Sequence, residues 1–193
     1  MVLEGWDSVA NQVNFNLEID RKRFLSMVNL PAKVLDFGCG YGRIVKELTE
    51  SGYTNVIGID PSSIMLERGL KMFPELSLLH SSTATLPFDD CSFDAVVVCA
   101  VFTCIPSLDE RVEVVAEIMR VLKPGGLLHI AEFCSKEETV FTAGLGIPMR
   151  YSRPEELREL FGGFQYVYDE VVGASTMSGK DAQSYRAFVQ KNT

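Results

Sequence analysis

The sequence predicts a single α/β domain built on a doubly wound, mostly parallel sheet. Three observations predict it. Apolar runs of strand length alternate with segments of helical period; the first run opens directly into a glycine loop; and 193 residues, 47% of them hydrophobic, suffice for one packed core.

Met1 to Asn14 shows no strong period. Phe15 to Val28 then sets Leu17, Phe24, Leu25 and Val28 on one helical face before Leu30-Pro31 stops it, so an N-terminal helix is expected, with Trp6 and Phe15 as the aromatics of interest. The chain is organised around Val34 to Arg43, VLDFGCGYGR, where an apolar run reaches Asp36 and breaks into Gly38, Gly40 and Gly42. Glycines at period two make a loop whose floor carries no Cβ, suited to backbone that lies flat against a ligand. The next helix puts Ile44, Val45 and Leu48 on one face and closes at Gly52, giving the first half of a βαβ unit.

A second apolar run, Val56-Ile57-Gly58-Ile59, ends in Asp60, eighteen residues after Gly42. The dinucleotide fingerprint requires a glycine where Arg43 stands, so the loop reads GxGxG instead. A carboxylate at Asp60 can accept from both hydroxyls of a ribose, and the two features together point to an adenosyl ligand without a pyrophosphate. Pro61-Ser62-Ser63 opens a helix to about Phe73, with Pro61 presetting its first turn and Pro74 ending it. Leu76 to His80 is the third strand, and Phe93 to Cys99 reads as a central strand buried on both faces. Ser107 and Glu110 form a capping box for a helix with an apolar stripe from Val112 to Leu122. The Pro124-Gly125-Gly126 turn then leads into a fifth strand, Leu127 to Phe133.

Cys134 to Tyr151 reads as a long loop with a short helix, leaving the carboxyl end of the fifth strand, where it would shape a substrate pocket. Ser152 to Phe161 is a helix with a Ser152/Glu155 capping box, stopped by Gly162-Gly163. Phe164 to Val172 and Ser184 to Gln190 are two strands joined by a Gly/Ser-rich loop.

Net charge is −8 with a pI near 4.8, and no Lys/Arg block appears, which argues against nucleic acid as a partner. Arg21-Lys22-Arg23 would spread around a helix axis as a solvated face. The longest apolar run, Ala95 to Phe102, is far short of the roughly 20 residues that span a bilayer, and MVLEGWDS lacks the basic-then-apolar order of a signal peptide. Five cysteines with no CxxC pair fit reduced thiols, so no membrane association and a cytoplasmic location are expected.

At four ordered stations, VLDFGCGYG, VIGIDPSSIML, TLPFDDCSFDAVVV and LKPGGLLHIAEF, together covering Val34 to Phe133, the chain resembles the class I S-adenosylmethionine-dependent methyltransferases. The resemblance implies a Rossmann-like seven-stranded sheet with an antiparallel C-terminal strand pair. It implies one methyltransferase domain over residues 1–193, with a helical lid at 1–30, a cofactor-binding core at 31–133, and a substrate loop and terminal strand pair at 134–193. S-adenosylmethionine would be the cofactor, a small molecule the methyl acceptor, and the protein a monomer or homodimer. Asp36, Gly38, Cys39, Gly40 and Gly42 would seat the methionine part, Asp60 with Pro61 the ribose, and Met65, Ser82 and Thr83 the adenine, with Cys99 at the end of the fourth strand. The family commonly carries Asp where Ser82 stands; a hydroxyl accepts the adenine amino hydrogen bond without charge assistance, weaker by about 1 kcal/mol.

Methyl transfer from a sulfonium demands alignment more than acid–base chemistry, so no catalytic residue need stand out. By position, Glu132 is the candidate base, and Arg150 or Tyr151 could orient an acceptor. His80 and His129 fall within strands and read as core or edge residues rather than metal ligands. Cys99, Cys104 and Cys134 lie near the ends of strands four and five and could face one pocket. Two other readings stay open: a domain that binds the adenosyl ligand without transferring anything, and a nicotinamide-dependent oxidoreductase, which Arg43 disfavours.

Overall fold

The computed structural model describes residues 5–81 and 85–193. Five parallel strands come first: β1 (Lys33–Phe37), β2 (Asn55–Asp60), β3 (Leu78–His80), β4 (Phe93–Cys99) and β5 (Leu122–Cys134). A separate hairpin of β6 (Thr139–Thr142) and β7 (Pro148–Tyr151) follows, and an antiparallel pair, β8 (Gln165–Ser175) and β9 (Asp181–Gln190), closes the chain. The main sheet has seven strands in the order β3-β2-β1-β4-β5-β9-β8, with β9 antiparallel to β5. This is the expected Rossmann-like architecture. Strand order reverses between β1 and β4, the place where open α/β sheets leave a crevice for ligands.

Alternate strand residues serve two helical layers. Val34, Ala95, Val97 and Phe188 pack against α2 (Arg21–Met27), α3 (Arg43–Glu50) and α4 (Ser63–Met72) through Phe24, Val45, Leu48 and Leu66. Leu35, Val96, Val98 and Ile130 meet α5 (Leu108–Val121) and α6 (Pro154–Leu160) through Val114, Ile118, Leu157 and Phe161. Both faces of the inner strands are covered, so these strands are largely apolar, and Phe93 to Val98 is apolar but for Asp94.

Several local expectations are corrected. The helix expected over Phe15 to Val28 starts only at Arg21, because Asp20 caps it by accepting the Arg23 N–H at 3.0 Å. Residues 10–20 instead run as an irregular strap, and a short helix α1 (Trp6–Val9) precedes them. Ser62, not Pro61, begins α4: its hydroxyl accepts the Met65 N–H, and Pro61 lies outside the helix. The third strand is only Leu78–His80. The Pro-Gly-Gly segment is a bulge within one long β5, with Phe93 paired to Leu122 and Ala95 to Leu127. The supposed loop after β5 is the β6–β7 hairpin, whose period-two pattern is hidden by Gly144 and Gly146 at its tip. Helix α6 is capped one residue later than expected, the Arg153 N–H donating to Glu156 at 3.0 Å, while the Ser152 hydroxyl accepts from Arg111 at 2.7 Å. Both terminal strands are longer than expected, since a tight turn closed by Thr176 and Lys180 replaces the long loop. Arg21 and Arg23 of the basic triplet lie against acids, Glu47 and Asp20 respectively.

His129, buried in β5, fastens the strap. Its Nε2 accepts the Asp20 N–H at 3.0 Å, its Nδ1–H donates to the Ala187 carbonyl at 2.9 Å, and its ring stacks on Phe188 with centroids 4.1 Å apart. Burial pushes its pKa down to about 4, against the pull of the Ala187 carbonyl and Asp20, with Arg186 adding to the depression. The unfolded chain therefore takes up this proton first as pH falls, and the stabilisation is intact above about pH 6.5 and gone by about pH 4. In denaturant unfolding, the stability of the wild type minus that of His129→Phe is expected to fall by about 3 kcal/mol across that window.

Candidate functional site

The glycine loop is tied to the carboxyl end of β2. The N–H groups of Gly38 and Cys39 both donate to the Ile59 carbonyl, at 2.8 and 3.0 Å, and the Gly40 N–H donates to Asp60 Oδ2 at 2.8 Å. Asp60 Oδ1 accepts the Ser62 N–H at 2.8 Å, so one carboxylate bridges the loop and the start of α4. Gly38 (φ 73°) and Gly40 (φ 54°) are left-handed, and a Cβ on either would lie 2.5 Å from Val101 and 2.7 Å from the Phe15 ring respectively. Only glycine fits at these two positions.

The loop floors a cavity of about 1120 Å³ of atom-free space, counted out to its open mouth. Of the residues singled out from the sequence, Asp36, Gly38, Cys39, Gly40, Asp60, Pro61, Met65 and Cys99 line it together. Gly42 does not: it caps α3 at φ 82° and packs on Leu76 and Leu78. Ser82 and Thr83 lie outside the described residues. Met65 both lines the cavity and packs at 1% exposure beside Tyr41 and Val9.

Asp36 is 1% exposed, and its Oδ2 has no hydrogen-bond partner. Burial pushes its pKa up to about 7, opposed by Arg43 and reinforced by Asp60 and Glu47. Burial likewise pushes Asp60 up to about 6, with Asp7 adding to the rise and the Ser62 and Gly40 N–H groups and His80 opposing it. Arg43, noted in the sequence only for not being glycine, is a site residue. Its guanidinium donates to the Leu17 carbonyl, while its buried Nε is unpaired. An orphan acceptor and an orphan donor of opposite charge thus border one cavity.

The other wall comes from the strap and the segment after β4. Phe15 stacks on Tyr41 at 5.4 Å over the glycine loop, and its N–H donates to the Tyr41 hydroxyl at 3.1 Å. Arg68 clamps the strap from α4, donating to the carbonyls of Ala10 and Val13 at 2.8 and 2.6 Å. After β4, Ala100 is left-handed (φ 58°), a strained conformation for a side chain with Cβ, and a 3₁₀ turn at Phe102–Cys104 follows. Glu132 holds that turn. Fully buried, its carboxylate accepts the N–H groups of Val101, Phe102 and Thr103 and the Thr103 hydroxyl, at 2.8 to 3.0 Å. Buried Arg111 donates to Phe102 and Ile105 carbonyls from the other side.

Glu132 is therefore a structural anchor rather than a base. Arg150 is turned away, paired with Glu138 at 2.9 Å, and Tyr151 stands behind the wall, stacked on Phe133 at 5.5 Å. Cys99 and Cys104 do share the cavity, while Cys134 does not line it. The side chains that sequence reasoning missed, among them Leu17, Met149 and Met177, come from far apart in the chain and carry no local motif. Among the described residues no cluster of His, Cys, Asp or Glu could hold a metal ion, and no helix is long and apolar enough to cross a membrane.

A glycine cradle at the switch point, an acid ending β2 and orphaned buried charges define a Rossmann-like domain fit for an adenosyl ligand with a charged tail. A methyltransferase-domain family model matches residues 35–130, and this part of the chain belongs to that methyltransferase family. It is 32% identical over 117 residues to a ubiquinone/menaquinone biosynthesis C-methyltransferase of Campylobacter jejuni, covering 58% of this chain and 48% of that one. It is 29% identical over 161 residues to a sterol 24-C-methyltransferase of Yarrowia lipolytica, covering 74% and 42%. The chain thus spans about half the length of these curated relatives. In fold it is similar to a SAM-dependent methyltransferase from Methanosarcina mazei, with a TM-score of 0.79, 24% identity, and 86% and 95% of the two chains covered.

Removing the Glu132 carboxylate leaves buried N–H groups without an acceptor. Glu132→Ala is expected to lower the thermal midpoint by about 6 to 12 °C, and Glu132→Gln, which keeps one acceptor oxygen, by about half as much, as calorimetry can check.

Proposed function

We propose that this chain transfers a methyl group from S-adenosylmethionine to a small-molecule acceptor. The orphaned pair Asp36 and Arg43, beside a Cβ-free loop and Asp60, carries the reading. When bound, S-adenosylmethionine would supply a methyl group activated on a sulfonium, whose sulfur departs as a neutral thioether. Asp36 Oδ2 accepts from the α-ammonium of the methionine part, and Arg43 Nε donates to its carboxylate. Asp60 receives the ribose hydroxyls on lone pairs that Gly40 and Ser62 leave free. Gly38, Cys39 and Gly40 give the methionine a flat floor, and Pro61, Met65, Ser82 and Thr83 serve the ribose and adenine. Gly42 shapes the loop, and Cys99 borders the sulfur from the end of β4.

Residues 1–30 act as a lid, 31–133 as the cofactor-binding core, and 134–193 as the substrate-side segment and terminal strand pair. We place the protein in the cytoplasm, in keeping with its five free cysteines, as a monomer or homodimer.

S-adenosylhomocysteine at about 100 times its dissociation constant is expected to add roughly 2.7 kcal/mol and raise the thermal midpoint by about 5 to 10 °C, with nicotinamide cofactors giving no shift. Asp60→Ala should weaken that binding at least about tenfold in calorimetric titration, and an affinity within twofold of wild type would sink the ribose assignment. Because Asp60 and Asp36 ionise only near pH 6 and 7 and the cationic ligand favours their ionised forms, affinity for S-adenosylmethionine should rise about tenfold from pH 5 to pH 8. A flat titration across that range would count against both contacts.

A further inference from the structure

In the crossover from β3 to β4 the described residues, 81 and 85–92, form no helix or strand, so their backbone groups must find partners on other elements. Ser81 and Leu86 of this crossover both line the cavity. The Ser81 N–H donates to the Asp60 carbonyl at 3.2 Å, so the crossover sets out beside the acid that ends β2. Its far side rests on the last turns of α5.

Arg120 donates to the carbonyls of Leu86 at 3.1 Å and Phe88 at 2.8 Å, and to Asp90 at 2.7 Å. Glu117, one turn earlier, accepts the Leu86 N–H at 2.7 Å and holds the guanidinium with both carboxylate oxygens at 2.9 Å. The Arg120 and Val121 carbonyls then accept the N–H groups of Cys91 and Ser92 at 2.9 and 2.8 Å. Both backbone groups of Leu86 thus end on one Arg–Glu pair. Hydrogen bonds from Arg120 hold the Glu117 carboxyl below the usual glutamate range against the effect of burial, so the pair is charged at pH 7. On these contacts, and resting on the methyltransferase reading above, we infer that Arg120 is a positioning residue for the cofactor: through Leu86 it fixes the wall on which the adenosine half is seated.

Neither Arg120 nor Glu117 lines the cavity, so the pair acts only through the segment it holds. A wall without a ladder of its own samples several positions, and a ligand that must order it loses affinity to that ordering. Arg120 removes this cost beforehand. Its planar fork reaches two carbonyls and two carboxylates at once, which a single ammonium does not reproduce. Phe88, braced edge-on against Phe93 at 4.9 Å, anchors the same stretch to the core.

The test reads affinity apart from stability. S-adenosylhomocysteine and 5′-methylthioadenosine, which shares its adenosine half but has no amino-acid tail, are titrated calorimetrically at pH 7 into the full chain. Arg120→Met, which keeps an apolar stem and removes every donor, is expected to weaken both ligands by the same factor, at least about fivefold. Arg120→Lys should weaken both by about threefold. Tyr53→Phe, which deletes a buried hydroxyl bonded to the Val28 carbonyl away from the cavity, lowers stability for comparison and should leave both affinities within about twofold. A purely structural Arg120 would lower the thermal midpoint and leave the affinities of the folded protein unchanged. Affinities within twofold of wild type in Arg120→Met, or in Arg120→Lys where the first variant does not fold, overturn the inference. So do a loss confined to S-adenosylhomocysteine, an equal loss in Tyr53→Phe, and a wild type that binds S-adenosylhomocysteine but not methylthioadenosine up to about 1 mM. A wild type that binds neither ligand strikes at the cofactor reading instead. Amide exchange without ligand then still decides the hold: Leu86 is expected to exchange at least about tenfold faster in Arg120→Met, relative to Val97 in β4, and an unchanged ratio overturns it.

Discussion

The site depends on the tie between the glycine loop and the end of β2. The Ile59 carbonyl takes two loop N–H groups and the Asp60 carboxylate takes a third, so the loop is set by its neighbour strand rather than by its own turn. That tie works only if β1 and β2 hold their parallel register, Asp36 beside Gly58 and Phe37 beside Ile59. A slip of one residue would turn Asp36 away from the cavity and Leu35 into it. The register is held in turn by the two apolar layers, which fix which residues of each strand face which way. Core packing and ligand geometry are therefore one constraint seen at two distances.

The energetics of the cavity follow the same division. Burying Asp36 costs stability, because the ionised group leaves water with one oxygen unpaired, and the half-buried Asp60 shares that environment in part. The raised pKa values of the two acids reflect that cost. At the other end Glu132 is buried just as deeply, but three backbone N–H groups and a hydroxyl oppose the effect of burial. Asp36 Oδ2 and Arg43 Nε are left without partners, whereas the Glu132 carboxylate is used to build a wall. Hydrogen-bond satisfaction, not burial, separates them.

Much of this was legible in the sequence, and the limits have physical causes. The strands β1, β2 and β4, the Asp60 end of β2 and the Ser107 cap are local patterns, set by period and capping, and they appear where expected. The strap was misread because Leu17, Phe24 and Val28 keep helical spacing. The Leu17 carbonyl, however, is claimed by Arg43 and by the Cys99 thiol, so side chains distant in sequence override a local preference. Glu132 looked like a base because it ends a strand beside the cavity; only the chain passing over it from β4 shows that its lone pairs are taken. The hairpin was missed because its two short strands bury little on their outer face, leaving Val140 at 58% exposure and no clean alternation.

The strap itself joins these levels. It carries no ladder of its own; its carbonyls and amides end on side chains of other elements, on Arg68 from α4, Tyr41 and Arg43 from the glycine-loop region, Cys99 from β4 and His129 from β5. Such hydrogen bonds each contribute about 1 kcal/mol net, and they can be released a few at a time, whereas a sheet ladder opens as a unit. Leu17 adds a small apolar contact with Ala131 and Phe133. A segment fastened in this way covers the cavity through single side-chain contacts, with Ile19 alone of its residues joining the core beneath α2 to α4. The same residue, Arg43, holds the strap by Leu17 and lines the cavity, so the segment over the site and the glycine-loop side of it meet at one side chain.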